Sequence, residues 1–68
     1  MRVVVNGAPR ELEGPVTLAA LAADAVGGEA GQGVAIAHNG EVVRRSSWNE
    51  TRVAEGDRVE ILVATQGG

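Results

Sequence analysis

The chain has 68 residues, 44% of them hydrophobic, and a formal net charge of −3, which together describe one small folded domain rather than a disordered segment. A core of this size leaves little room for the deep enclosed pocket that small-molecule enzymes use. The acidic balance and a single aromatic residue, Trp48, exclude phosphate-backbone neutralisation and base-stacking platforms, so the expected partner is a basic protein surface and not nucleic acid.

The opening stretch, MRVVVNGAPRELEG, predicts a strand, a tight turn and a second strand. Met1, Val3 and Val5 share one face by period-two alternation. Asn6-Gly7 supplies the positive φ angles of a two-residue hairpin turn. Pro9 has no amide donor, which places the second strand at a sheet edge, with Leu12 as its core contact. In GPVTLAALAADAVGG the period changes. Leu18, Leu21, Ala22 and Ala25 form one stripe of a helix, Thr17 is the N-cap, and Val16 and Leu21 have hydrophobic-staple spacing. Gly27 and Gly28 stop the helix.

GVAIAHNGEVVRR predicts a second hairpin centred on Asn39-Gly40, with Val34 and Ile36 alternating with Ala35 and Ala37. Ser47 and Glu50 stand at capping-box spacing, which predicts a short helical turn in SSWNE. The final unit turns at Glu55-Gly56-Asp57 and enters the most apolar strand of the chain. Val59, Ile61 and Val63 form one face of that strand, while Glu60, Leu62 and Ala64 form the other. The order predicts an α+β fold: the ubiquitin-like β-grasp, a mixed four- to five-stranded sheet with one main helix packed on one face. The last strand is expected at the centre, parallel to the first through a right-handed crossover. Residues 1–68 form a single domain, with 65–68 as a flexible C-terminal tail.

Candidate chemistry is sparse. The chain has no cysteine, so disulfides, Cys-ligated metals and a thiolate nucleophile are excluded. His38, the single histidine, is expected at the surface beside a turn. With Ser46, Ser47 and Asp57 it makes a triad only on paper, since the serines read as caps and Asp57 as turn chemistry. Acidic residues are scattered without ligand spacing, so no metal is expected. GGEAGQG lacks the lysine of a phosphate loop and reads as a connector. The start shows no signal-peptide pattern, and nothing approaches the ~20 apolar residues of a membrane span. A soluble cytoplasmic protein without catalytic residues is expected.

The sequence closes on VATQGG. Glycine gives the slimmest and most permissive backbone. Gln66, Gly67 and Gly68 therefore suit a tether that threads a narrow channel in a partner enzyme and presents the Gly68 carboxylate. Adenylated by ATP, that carboxylate becomes open to attack by a sulfur nucleophile.

HNGEVVRRSSW, EGDRVEILVATQGG, the opening VVVNG and the helix start TLAALAA together resemble the ThiS family, the ubiquitin-like sulfur carriers of thiamine biosynthesis. The resemblance covers every element and departs at Arg44, where many members carry proline. It implies that a ubiquitin-activating-like adenylyltransferase adenylates Gly68, using ATP that the carrier itself does not bind. Sulfur from a cysteine desulfurase then displaces AMP, and thiazole synthase takes it from the terminal thiocarboxylate. Leu62 and Ala64, facing away from the helix beside the tail, are the expected partner-docking residues. All six basic residues are arginine, so the chain lacks the side-chain amines on which chain-forming modifiers build. A carrier for molybdopterin synthesis shares the fold and tail chemistry, and a non-catalytic β-grasp interaction module is the alternative of a different class.

Overall fold

Strand β1 (Arg2–Val5) reverses at Asn6-Gly7 into β2 (Ala8–Glu11), pairing Val5 with Ala8 and Arg2 with Glu11. The turn residues adopt φ 52° and 81°, the left-handed pair that a two-residue hairpin needs. This geometry comes from a computed structural model that describes residues 1–27 and 33–64. Pro9 sits on β2, which is an edge of the five-stranded sheet β2-β1-β5-β3-β4, as its missing amide requires. Leu12, just past the strand, is half-buried against the core, and its N–H donates to the Met1 carbonyl at 2.7 Å.

Helix α1 (Leu18–Val26) begins at Thr17, whose Oγ1 accepts from the Ala20 amide at 3.1 Å, and ends at Gly27 in the left-handed region with φ 76°. Leu18, Leu21 and Ala22 are buried, and Val16 packs half-buried against the same cluster. Ala25, expected on this stripe, is exposed, and Val26 is the half-buried residue of the last turn. Two helical turns span about 7.2 residues, so positions i+7 and i+8 compete for one face and the larger side chain takes it. Gly28 lies outside the described residues.

Strands β3 (Val34–His38) and β4 (Glu41–Val43) form the second hairpin around Asn39-Gly40, at φ 51° and 89°. The expected short helical turn forms, as a 3₁₀ turn at Arg45–Ser47 closed by Ser47 N–H to the Arg44 carbonyl at 2.9 Å and followed by a turn bond from Glu50 N–H to the Ser47 carbonyl at 3.1 Å. Among the described residues the Ser47 hydroxyl makes no capping bond, so the capping box itself is not formed. The cause is Trp48, which is 4% exposed and donates its indole N–H to the Val43 carbonyl at 2.9 Å. Burying an indole outweighs a side-chain cap, which is worth about 1 kcal/mol.

The segment after Trp48 returns to the head of the helix. Leu18 N–H donates to the Thr51 carbonyl at 2.9 Å and Ala19 N–H to the Trp48 carbonyl at 3.2 Å. With Thr17 Oγ1 on Ala20, three of the four donors that a helix start leaves open are paired. Val53 is thereby buried.

The last strand, β5 (Arg58–Val63), lies between β1, which it meets in parallel, and β3, which it meets antiparallel. Val59 and Ile61 are buried beneath α1 with Val3, Val5 and Ile36. Val63, expected on that face, is 54% exposed. A nine-residue helix is about 13 Å long and a six-residue strand about 20 Å, so α1 ends before the strand does. The result is the β-grasp arrangement, one helix on one face of a mixed sheet. Among the described residues no helix is long and apolar enough to cross a membrane.

Trp48→Phe keeps an aromatic ring in the core but leaves the Val43 carbonyl without its indole donor, and is expected to cost about 1–3 kcal/mol. Trp48→Ala should cost about 3–5 kcal/mol. Urea unfolding followed by circular dichroism measures both, and wild-type stability in Trp48→Phe would contradict the assigned bond.

Candidate functional site

Alternation along β5 turns Glu60 and Leu62 to the face that α1 does not cover. The strand register sets Leu62 beside Ala35, Glu60 beside Ala37, and Ala37 beside Val42. Leu62 is 70% and Val42 83% exposed. The small Ala35 and Ala37 between them leave an open concavity of ≈ 480 Å³, also lined by Asn6 and Glu60. A second shallow hollow continues from Ala35 and Leu62 to Val63 and Ala64, where β5 ends. Ala64 is exposed, and its N–H donates to the Gly33 carbonyl.

Leu62 and Ala64 thus stand where the sequence places them, on the open face at the end of the central strand. Gln66, Gly67, Gly68 and the expected 65–68 tail lie outside the described residues. Val42 and Ala37 belong to the same strip, although alternation along β5 alone does not disclose them. Their signal was the two-residue turn itself, which pairs His38 with Glu41 and hence Ala37 with Val42. The strip is apolar, with Glu60 as the charged group among its lining residues, and exposed apolar patches of this kind are characteristic of protein contacts.

The paper triad is not assembled. His38 is half-buried rather than exposed, because the β3–β4 turn folds back on the turn before β5. Its Nε2 lies 2.8 Å from Asp57 Oδ2 and donates to that carboxylate. Asp57 also accepts from Asn39 Nδ2 at 3.2 Å and from the Ala54 amide at 2.8 Å. Among the described residues no serine hydroxyl bonds to this pair, and Ser46 is exposed. The dyad therefore fastens two turns and lacks a nucleophile. The hydrogen bond from His38 holds the Asp57 carboxyl below its ordinary value of 3.8, against the opposing effect of burial. The Ala54 amide, the Asn39 amide and Coulombic attraction to His38 add to the lowering. Among the described residues no group of three or more His, Cys, Asp or Glu is placed to hold a metal ion.

The model of the ThiS family matches residues 3–68. A crystal structure of a thiamine biosynthesis protein (ThiS) from Geobacter metallireducens superimposes with a TM-score of 0.77 at 33% identity, covering 100% of both chains. A thiazole synthase of Paramagnetospirillum magneticum is 34% identical over 68 residues, which is all of this chain. The chain spans only 20% of the length of that protein.

A carboxyl whose folded value lies below its unfolded value contributes stability that is fully present above about pH 4 and is lost as pH falls through the folded value. Thermal stability is therefore expected to decline as the pH falls below about 4, and Asp57→Asn should flatten this part of the profile. An unchanged slope in Asp57→Asn, measured by thermal denaturation across that range, would contradict the role assigned to the carboxylate.

Proposed function

The chain belongs to the ThiS family, and we propose that it is a sulfur carrier of thiamine biosynthesis that works through the carboxylate of Gly68. The observation that carries this proposal is the position of Leu62. It is exposed within an apolar strip, on the central strand that leads directly into Gln66, Gly67 and Gly68.

The apolar strip supports docking of an ATP-dependent adenylyltransferase of the ubiquitin-activating kind. Docking holds the rigid sheet while the glycine tail, free of side chains, reaches the nucleotide. A carboxylate oxygen of Gly68 attacks the α-phosphorus of ATP and pyrophosphate leaves. Sulfide, its sulfur originating from a cysteine desulfurase, then attacks the acyl carbon and AMP leaves, giving a thiocarboxylate; sulfur arriving as a persulfide gives an acyl disulfide instead, which a thiol reductant cleaves to the same thiocarboxylate. Thiazole synthase is the proposed acceptor. The thiazole synthase that resembles this chain over part of its own length supports that choice. In this scheme the chain performs no acid, base or nucleophilic side-chain step, so it is a co-substrate of its partners and not a catalyst. The missing cysteine is consistent with sulfur carried on the terminus.

Deleting Gly68 is expected to abolish sulfur delivery while leaving the melting temperature unchanged. Retained delivery would favour an interaction module without tail chemistry. Leu62→Glu should stay folded and raise the KM for adenylation by about tenfold, equivalent to about 1.4 kcal/mol. Unchanged kinetics would remove Leu62 from the docking surface. Offering the thiocarboxylate in turn to thiazole synthase and to molybdopterin synthase should show transfer to the first alone.

A further inference from the structure

The ladder between β1 and β5 ends early on the β1 side. Val4 and Val5 pair with Arg58 and Val59, and Asn6 N–H donates to the Val59 carbonyl at 2.9 Å. The chain then turns away into β2, while β5 runs on to Val63. At Ile61, where β1 offers no further backbone, the Asn6 carboxamide takes its place. Ile61 N–H donates to Asn6 Oδ1 at 2.7 Å, and Asn6 Nδ2 donates to the Ile61 carbonyl at 3.2 Å.

A primary carboxamide carries the donor and acceptor of a peptide group, so Asn6 extends the sheet by one residue without any strand. The same residue occupies the turn at φ 52°, a region where asparagine is the favoured residue after glycine. Asn39 fills the matching place in the other hairpin and holds Arg58 differently. Its Oδ1 accepts from Arg58 N–H at 2.8 Å and its backbone N–H donates to the Arg58 carbonyl at 2.8 Å, while its Nδ2 turns to Asp57. Among the described residues, a clamp made at both ends by one side chain belongs to Asn6.

We propose that Asn6 is a positioning residue for the reactive tail: its carboxamide fixes the backbone of β5 at Ile61, and so holds rigid the end of the strand, with the outward-facing Leu62, from which the tail departs. Ile61 N–H belongs to the peptide plane before that residue and its carbonyl to the plane after it, so both planes leading to Leu62 are fixed. From the other side, Ala64 N–H is bonded to Gly33. Ordering one residue of backbone costs about 1–2 kcal/mol. The clamp, together with the β3 ladder that pairs Ile36 with Ile61 and Ala35 with Leu62, meets that cost in the free carrier, so docking need not meet it at the moment of reaction. The proposal rests on the sulfur-carrier function.

The test compares the wild-type chain with Asn6→Gly and Asn6→Asp in adenylation by the partner adenylyltransferase, read as pyrophosphate release. Asn6→Gly keeps the left-handed turn and empties the clamp. Asn6→Asp keeps the turn and the acceptor for Ile61 N–H but sets a carboxylate oxygen against the Ile61 carbonyl. Both should lower kcat by about 10- to 100-fold, as small misplacements of a reacting group do, with KM within about twofold. Amide exchange at Ile61 should quicken, while that at Val4, bonded to the Asp57 carbonyl, stays slow. Wild-type kcat in both variants overturns the positioning role, as does a fall in kcat and KM together that merely tracks lost thermal stability. Absence of pyrophosphate release by the wild-type chain instead overturns the carrier function, and the proposal with it.

Discussion

The pairing of the last strand with the first is the constraint on which the other features depend. Strands that run parallel cannot be joined by a turn, so the intervening chain must leave the sheet and return. That detour supplies the helix, and the helix determines which face of β5 is dry. Val59 and Ile61 lie beneath it. Because side chains alternate along a strand, their burial forces Glu60 and Leu62 outward. A slip of one residue would bury Glu60 and expose Val59, which the core forbids. The exposure of Leu62 is therefore a consequence of core packing. An exposed apolar strip and a hydrophobic core are written into the same short strand.

Two asparagine turns and one tryptophan complete the support around that strand. Asn6 and Asn39 each place a side-chain amide on β5, at Ile61 and at Arg58. Trp48 anchors the segment whose carbonyls accept the open amides at the start of α1. A domain of this size has little apolar area to spare. Polar groups at its turns and helix ends are accordingly paired, and no buried side-chain nitrogen or oxygen among the described residues lacks a partner. The His38–Asp57 pair belongs to this set. Its residue types suggest catalysis, yet its bonds run to two turns.

Elements whose cause is local were legible in the sequence. Both Asn-Gly hairpins, the Thr17 cap, the edge position of Pro9 and the central place of β5 follow from turn chemistry, capping and alternation. The misplaced features depend on long-range packing. Ala25 lost its face to Val26, Val63 is left uncovered by the shorter helix, and Trp48 is buried where a capping box was expected. Val53 and the partner of His38 were hidden for the same reason, since no periodicity reports which loop folds onto which. For the candidate site, Leu62 and Ala64 were legible from alternation alone. Val42 and Ala37 required the register of the second hairpin, and Asn6 required knowing that β1 stops short of β5.

Sulfur carriage on Gly68 would replace one oxygen atom by one sulfur at one residue, and that exchange is read from the mass of the chain. The intact mass of the chain, measured after incubation with ATP, the adenylyltransferase and a sulfur donor, should rise by the difference between one sulfur and one oxygen atom. Fragmentation should place that gain on Gly68. An unchanged mass, or the same gain on any other residue, would contradict the account.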